Sequence, residues 1–73
     1  MFVNVDKLHG KIRELKTSVV EVAAKMGIDK STLYRKLAKN GAGLTVKDAQ
    51  QLVHILQLSD DEALLIFFAR EVA

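Results

Sequence analysis

A succession of helix-start signals constrains the fold of this chain more than any other sequence feature. Three of them are capping boxes, in which a hydroxyl residue is followed three positions later by an acid: Ser18 with Glu21, Thr45 with Asp48, and Ser59 with Glu62. In a capping box each side chain accepts a hydrogen bond from the backbone amide of the other residue. Two further N-caps are expected, at Asp29 and at either Asn4 or Asp6. The chain has no proline and no run of alternating β-branched residues, so the signals predict an all-α protein.

Apolar residues recur at helical spacing between these signals, which indicates five amphipathic helices. The predicted helices cover residues 5–16, 19–26, 30–39, 46–56 and 60–72. The residues that we expect in the core are Leu8, Ile12, Leu15, Val22, Ala23, Met26, Leu33, Leu37, Val46, Ala49, Val53 and Leu56. The sequence NGAG at 40–43 is predicted to be the one real loop. With 73 residues there is room for a single domain, 1–73, arranged as a compact five-helix bundle.

The composition argues against several classes of protein. There is no cysteine, which leaves neither a disulfide framework nor a thiolate zinc site. The sequence contains no nucleophile–base–acid set, so we expect no enzyme, no cofactor and no metal. His9 and His54 are expected to be exposed and unpaired. The first residues lack the pattern of a secretion signal, and the longest apolar run is far shorter than the roughly 20 residues that cross a bilayer. An intracellular protein without a membrane partner is the expectation.

Charge is distributed unevenly along the chain. Residues 1–47 contain ten basic and four acidic residues, a balance of +6, whereas residues 48–73 contain one basic and five acidic residues, a balance of −4. Such a chain can direct its cationic part toward an anionic partner, although chance clustering of surface charge would give the same numbers.

The junction between the second and third predicted helices has a distinctive composition. Gly27 can take the positive φ that commonly ends a helix, and Ala23, four residues earlier, is small enough to allow close helix approach. Ile28 is placed to fill the corner, and Asp29 caps the next helix. This order of residues is typical of a helix-turn-helix, whose second helix can enter the major groove of DNA.

The segment 19–38 resembles the helix-turn-helix of the lambda-repressor/Cro-like superfamily. The flanking sequences VDKLHGKI and LTVKDAQQLVHILQLSDDEALLIFFA are similar to those of small regulators encoded by phages and prophages of Gram-positive bacteria. The resemblance implies a transcriptional repressor in the cytoplasm of a bacterial host, associated with the nucleoid when bound. It also implies a homodimer on a palindromic operator of double-stranded DNA, with no small-molecule ligand.

The resemblance also implies which side chains read bases. The candidate base-reading residues are Lys30, Ser31, Tyr34 and Arg35. Helical geometry agrees, since these positions share the face opposite Leu33 and Leu37. Arg35 can bond to guanine O6 and N7 with both arms of its guanidinium group, which contributes about 1–3 kcal/mol of base discrimination. A solvated helix surface is the alternative for this face.

Phosphate contacts are expected at the start of the second helix and at and after the end of the third. Free amides and hydroxyl groups lie at the first place, and cations and an amide side chain at the second. The candidate phosphate-binding residues are Thr17, Ser18, Lys36, Lys39 and Asn40. Val19 stands where many relatives have a glutamine that braces a phosphate and a base-reading side chain, so affinity is expected to depend more on the lysines.

The last predicted helix contains ALLIFFA at 63–69, which would cover the whole circumference of a helix with apolar side chains. A monomer of this size buries one side of such a helix, and we expect the other side to meet a second copy. The candidate dimer contacts are Leu64, Leu65, Phe67 and Phe68. The periodicity does not decide which of these side chains face the core, and a fully buried helix in a monomer is the alternative.

Two other functions are compatible with the sequence. One is an antirepressor or modulator that binds a phage repressor protein with a helix-turn-helix-like body. The other, an antitoxin, is less favoured, because no tail remains to wrap a toxin.

Overall fold

Five helices make up the part of the chain that the computed structural model describes, residues 3–68. In chain order they are α1 (Val5–Glu14), α2 (Val19–Met26), α3 (Lys30–Gly41), α4 (Val46–Leu56) and α5 (Asp60–Phe67). No strand occurs within that range, which confirms the prediction of an all-α protein. Helix α2 packs against α3 and α4, and α1 packs against α3 and α5.

Each helix starts at a residue whose side chain accepts a hydrogen bond from a backbone amide. These N-caps are Asn4, Ser18, Asp29, Thr45 and Ser59. Reciprocal capping boxes form in α4, where Asp48 accepts from the Thr45 amide at 3.0 Å, and in α5, where Glu62 accepts from the Ser59 amide at 2.9 Å. All five predicted helix starts are therefore confirmed.

The capping box predicted at Ser18 forms only in part. The Ser18 hydroxyl oxygen accepts from the Glu21 amide at 3.2 Å, as expected. The Glu21 carboxylate, however, accepts from the Ser18 hydroxyl at 3.4 Å instead of from the Ser18 amide. The reciprocal bond that defines a capping box is thus missing from α2.

Three helices end in the same type of turn, a Schellman motif. In each, one residue takes a left-handed conformation, and its amide and the next one donate back to carbonyl groups of the last turn. The left-handed residues are Lys16 (φ 57°), Gly27 (φ 76°) and Gln57 (φ 50°). Only Gly27 carried a glycine signal in the sequence. Because Lys16 already leaves the helical conformation, α1 ends at Glu14, two residues before the predicted end.

The ends of the other helices agree with the predictions to different degrees. The bounds of α2 and α4 match. The range of α3 includes non-helical backbone at Ala38, Lys39 and Asn40, so its regular part ends at Leu37. The range of α5 ends at Phe67, and the rest of the predicted helix beyond Phe68 lies outside the described residues.

The core is a single cluster that contains most of the residues expected there. It also contains seven residues that the sequence analysis did not place in it: Val3, Val19, Leu44, Leu52, Leu58, Ile66 and Phe67. Two predicted core residues are instead exposed. Leu15 lies beyond the end of α1, and Val46, the first residue of α4, is 64% exposed because Leu52 and Leu56 form the inward face of that helix. Val53 is only partly buried.

Among residues 3–68, no helix has the length and apolar character that crossing a membrane requires.

The segment before α1 connects the turn after α3 to the end of α5. The Val3 amide donates to the Asn40 carbonyl at 3.0 Å, and the Asn4 amide donates to the Ile66 carbonyl at 2.8 Å. Gly41 lies against Val3 with a φ of 75°, and a Cβ atom added at Gly41 would be 2.6 Å from the Val3 Cβ. The turn therefore requires glycine for both space and backbone conformation.

Alanine substitution should consequently have opposite effects at two glycines. Gly41→Ala is expected to lower the free energy of unfolding by about 1–3 kcal/mol, since it adds both a clash and a strained φ. Gly10→Ala, within α1 and with open space around it, should raise it by about 0.5–1 kcal/mol. Urea denaturation of both variants measures the difference. Equal effects would show that the close packing of Gly41 on Val3 does not occur.

An ion pair joins α1 to α5. Lys11 Nζ lies 2.6 Å from Glu62 Oε2 and 2.9 Å from Glu14 Oε2. The Lys11 ammonium, together with the Ser59 amide, lowers the pKa of Glu62 from its ordinary value of 4.5 to about 2. In turn, Glu62 and then Glu14 raise the pKa of Lys11. The fold therefore favours the ionised form of Glu62.

This ion pair predicts a specific dependence of stability on pH. Because the pKa of Glu62 is lowered on folding, its stabilising effect is complete above pH 4.5 and disappears as the pH falls toward about 2. Glu62→Gln should lower the melting temperature at neutral pH, and its difference from the unmodified chain should vanish at the acid end of that range. Asp60→Asn, on the same helix turn, is the control and should show a smaller change. A Glu62→Gln difference that is constant with pH would contradict the assignment.

Candidate nucleic-acid interface

Within residues 3–68, no tertiary contact covers the outer face of α3. Leu33 and Leu37 point into the core, with 1% and 6% of their surface exposed. The four candidate base-reading residues are all exposed: Lys30, Ser31, Tyr34 and Arg35. The structure thus brings these four side chains together on one accessible surface, which we call the α3 face.

The N-cap of α3 fixes one end of the α3 face. Asp29 accepts from the Ser31 amide at 2.9 Å and also from the Ser31 hydroxyl. These two bonds, with the hydroxyl contributing most, hold the pKa of the Asp29 carboxyl below its ordinary value. Since the hydroxyl hydrogen of Ser31 is already used, its oxygen is left to act as an acceptor. Ser31 therefore donates to a partner outside the chain only if its hydroxyl bond to Asp29 breaks.

Two of the other three side chains on the α3 face, those of Tyr34 and Arg35, have few internal restraints. Arg35 Nη2 donates to the Thr32 hydroxyl oxygen at 3.3 Å, a long bond one helical turn back along α3. Tyr34 is 54% exposed, and its hydroxyl makes no hydrogen bond within residues 3–68. Most of the donors of the Arg35 guanidinium remain available, because that group carries five N–H bonds.

The connection between α2 and α3 has a defined geometry. The Gly27 amide donates to the Ala24 carbonyl at 3.1 Å, and the Ile28 amide donates to the Ala23 carbonyl at 3.0 Å. Ile28 then packs partly buried against the core. The chain leaves α2 through this Schellman turn and enters α3 at the cap of Asp29. The two helices also pack against each other in the common core.

Lys36, one of the candidate phosphate-binding residues, pairs with a carboxylate of α4. Its Nζ is 2.9 Å from Asp48 Oδ2, and its side chain is only 25% exposed. Lys36 lies on the flank of α3 that faces the start of α4, and Gly43 packs against its backbone. The ammonium group thus braces α3 against α4, and the phosphate contact of Lys36 stays a prediction.

Asp48 is a residue whose role the sequence analysis missed in part. It is the one charged residue that is buried within 3–68. Burial alone would raise its pKa, but the Thr45 amide, the Lys36 ammonium and the Thr45 hydroxyl outweigh that effect and hold the pKa below its ordinary value. The capping-box pattern at Thr45 predicted the bonds between Thr45 and Asp48. Only the tertiary structure shows that the Lys36 ammonium also pairs with the Asp48 carboxylate.

The remaining candidate phosphate-binding residues differ in their exposure and in the hydrogen bonds that they already make. Lys39 and Asn40 are exposed, and both have left-handed backbone conformations, with φ of 54° and 59°. Thr17 is half-buried at the turn before α2. The Ser18 hydroxyl already accepts from the Glu21 amide and donates to the Glu21 carboxylate. It is therefore less able to donate a hydrogen bond to a phosphate oxygen.

The candidate dimer contacts on α5 divide into two groups. Leu64, Leu65 and Phe68 are more than half exposed, whereas Phe67 is 2% exposed and belongs to the core. The prediction of Phe67 as a dimer contact is therefore wrong, because its ring packs inward with Ile66. The exposed three follow Asp61 at positions i+3, i+4 and i+7, which places all four on one side of the helix.

Within the described residues, no group of three or more potential ligands is arranged to hold a metal ion. His54 is exposed, as predicted, and His9 is partly exposed.

Comparison with protein families, with curated proteins and with solved structures finds no match for this chain. A functional assignment must consequently rest on the residues and their geometry.

The brace between α3 and α4 predicts that neighbouring lysines differ in their importance for stability. Lys36→Met keeps most of the aliphatic stem but leaves the Asp48 carboxylate without its cation, which should cost about 1–3 kcal/mol of unfolding free energy. Lys39→Met, the matched control at an exposed position, should change it by less than about 0.5 kcal/mol. Chemical denaturation measures both values. If the two variants are equally stable, the Lys36–Asp48 pair does not stabilise the fold.

Proposed function

We propose that this chain is a sequence-specific DNA-binding transcriptional regulator, in which α2 and α3 act as a helix-turn-helix. The observation that carries the proposal is the α3 face: two cations, a hydroxyl and a phenol on a helix whose other side is held in the core. An α-helix fits the major groove of DNA, where each base pair presents a distinct pattern of donors and acceptors. The Schellman turn at Gly27 supports the proposal, because it gives α3 a defined orientation on the rest of the fold.

Each group on the α3 face has a role in this proposal. Arg35 bonds to guanine O6 and N7, and Lys30 contributes a less directional contact of the same type. Ser31 accepts from a base or from water, since Asp29 takes its hydrogen. Tyr34 contacts a thymine methyl group or a phosphate.

Residues beyond the end of the α3 face are proposed to bind the DNA backbone. Lys39 and Asn40 are exposed there, and contacts from them to phosphate set the register of the protein on the duplex without reading sequence.

The regulator is proposed to act as a homodimer of the Cro-like type, as in small regulators of phages and prophages. One α3 face reaches only a few base pairs, whereas two related by a two-fold axis read half-sites about 34 Å apart on one side of the duplex. A palindromic operator would match that symmetry. Occupation of such an operator within a promoter excludes RNA polymerase, which makes repression the proposed outcome in the bacterial cytoplasm.

A second candidate function is supported by the exposed apolar side of α5. Leu64, Leu65 and Phe68 give this small protein an apolar surface of the kind that marks protein–protein contacts. An antirepressor or modulator would use it to bind a repressor protein. Such a protein would bind DNA weakly when alone and would co-purify with its repressor, whereas the proposed regulator binds DNA by itself with a steep dependence on salt.

Two substitutions separate base reading from phosphate binding. Arg35→Ala should relax the base preference at one position of each half-site, with a reduction of about 1–3 kcal/mol in discrimination. Lys39→Ala should weaken binding to all sequences about equally and reduce the slope of log K against log salt by about 0.9 for each phosphate that is no longer neutralised. Selection from random duplexes followed by titration at several salt concentrations measures both effects. If Arg35→Ala keeps the original base preference, the role given to Arg35 is wrong.

A further inference from the structure

The side chain of Thr32 lies beside the α3 face without belonging to it. Thr32 is half-buried, whereas Ser31 and Arg35 are exposed. In a helix with 3.6 residues per turn, Arg35 lies in angle between Ser31 and Thr32, one turn further along α3. Arg35 Nη2 donates to the Thr32 hydroxyl oxygen at 3.3 Å. Within residues 3–68, this is the one hydrogen bond that restrains the guanidinium group.

The charge of Asp29 acts on the same guanidinium group. The Ser31 hydroxyl and amide do most to lower the pKa of the Asp29 carboxyl, and the charges of Lys30 and Arg35 lower it further. A positive charge has this effect on a carboxyl group when it lies close to it. The Arg35 guanidinium is therefore turned back toward the first turn of α3, where its bond to Thr32 also directs it. Long side chains in helices commonly point toward the N-terminus in this way.

From these contacts we infer that Thr32 is a positioning residue, which orients the Arg35 guanidinium for guanine. The inference rests on the proposed function and deepens it, since it adds a residue that affects base preference without contacting a base. The recognition helix of a helix-turn-helix contacts base edges with its N-terminal residues. A guanidinium group that is turned toward the first turn of α3 lies at that end of the helix.

The bond to Thr32 leaves Arg35 able to bond to guanine with two donors. The five N–H bonds of a guanidinium group include two edges with two parallel donors each, formed by Nε with Nη2 and by Nη1 with Nη2. Thr32 accepts one hydrogen of Nη2, which belongs to only one of these edges. The other edge keeps both donors for guanine O6 and N7. Thr32 thus selects the edge that reads the base.

The hydroxyl group of Thr32 suits this role because it is itself restrained. A β-branched side chain has few χ1 conformations in a helix. Threonine is also one of the poorer helix formers, so helix stability does not account for this residue in α3. A long arginine side chain without such a restraint must be ordered when it meets its base, and it can turn instead to a neighbouring base or to phosphate. Restraint by Thr32 therefore favours guanine over the alternatives.

Base preference in variants of Thr32 and Arg35 tests the inference. Thr32→Val keeps the shape of the side chain but removes the acceptor, and it should lower the preference for guanine at the position that Arg35 reads by about 3- to 10-fold. Thr32→Ser keeps the acceptor and should retain most of the preference. In an Arg35→Ala chain, Thr32→Val should have no further effect, because Thr32 acts through Arg35. Titration of the full chain with duplexes that differ at that position measures all of these effects.

NMR relaxation of the free protein tests the restraint itself, without DNA. The order parameter of the Arg35 Nε–H group reports how far the guanidinium moves on the picosecond-to-nanosecond timescale. Thr32→Val should lower this order parameter, whereas Thr32→Ser should leave it nearly unchanged. Arg13, which is exposed on α1, is the control in the same spectra and should not respond to either substitution.

Circular dichroism establishes that each variant is folded before it is compared. Should Thr32→Val not fold, Thr32→Ala removes the same acceptor and introduces a better helix former.

Three results would overturn the inference. These are a Thr32→Val chain with the base preference of the unmodified chain, a Thr32→Val effect that persists in the Arg35→Ala chain, and an Arg35 order parameter that does not respond to Thr32→Val. The failure of the proposed function gives a different result. A chain that binds no duplex, but whose Arg35 loses order in Thr32→Val, contradicts DNA binding and leaves the restraint by Thr32 established.

Discussion

The inward anchoring of α3 by two leucines is the constraint on which the rest of the structure depends. Leu33 and Leu37 are almost fully buried in the one core that a chain of 73 residues can form. Because both lie on one side of the helix, every polar side chain on the other side must face solvent. The accessible surface of α3 is thus a direct consequence of how this small core is built.

Polar contacts around the core then fix where α3 lies. The Schellman turn at Gly27 sets its beginning, and the pair formed by Lys36 and the buried Asp48 sets its flank against α4. Removing one partner of such a pair is costly, because the other is left desolvated without compensation. A helix held in this way suits recognition of a partner, since its contacting side chains need little further ordering on binding.

Local features of the fold could be predicted from the sequence, and tertiary ones mostly could not. Helix starts were correct because caps are local signals, and the bounds of α2 and α4 followed directly. The end of α1 was missed because Lys16 takes a left-handed conformation without glycine. The apolar run of α5 carries no periodicity, so the burial of Phe67 was not predictable. The role of Lys36 depends on a carboxylate twelve residues away, which no local pattern reveals.

The central claim is that the exposed side of α3 contacts base edges in the major groove. Its most direct test is methylation protection of guanine N7 on the DNA that flanks the gene for this chain, at low ionic strength. The account predicts protected guanines in two half-sites about 10 base pairs apart, on one side of the duplex. Binding that protects no guanine N7 at any site, or the absence of any bound duplex under those conditions, would contradict it.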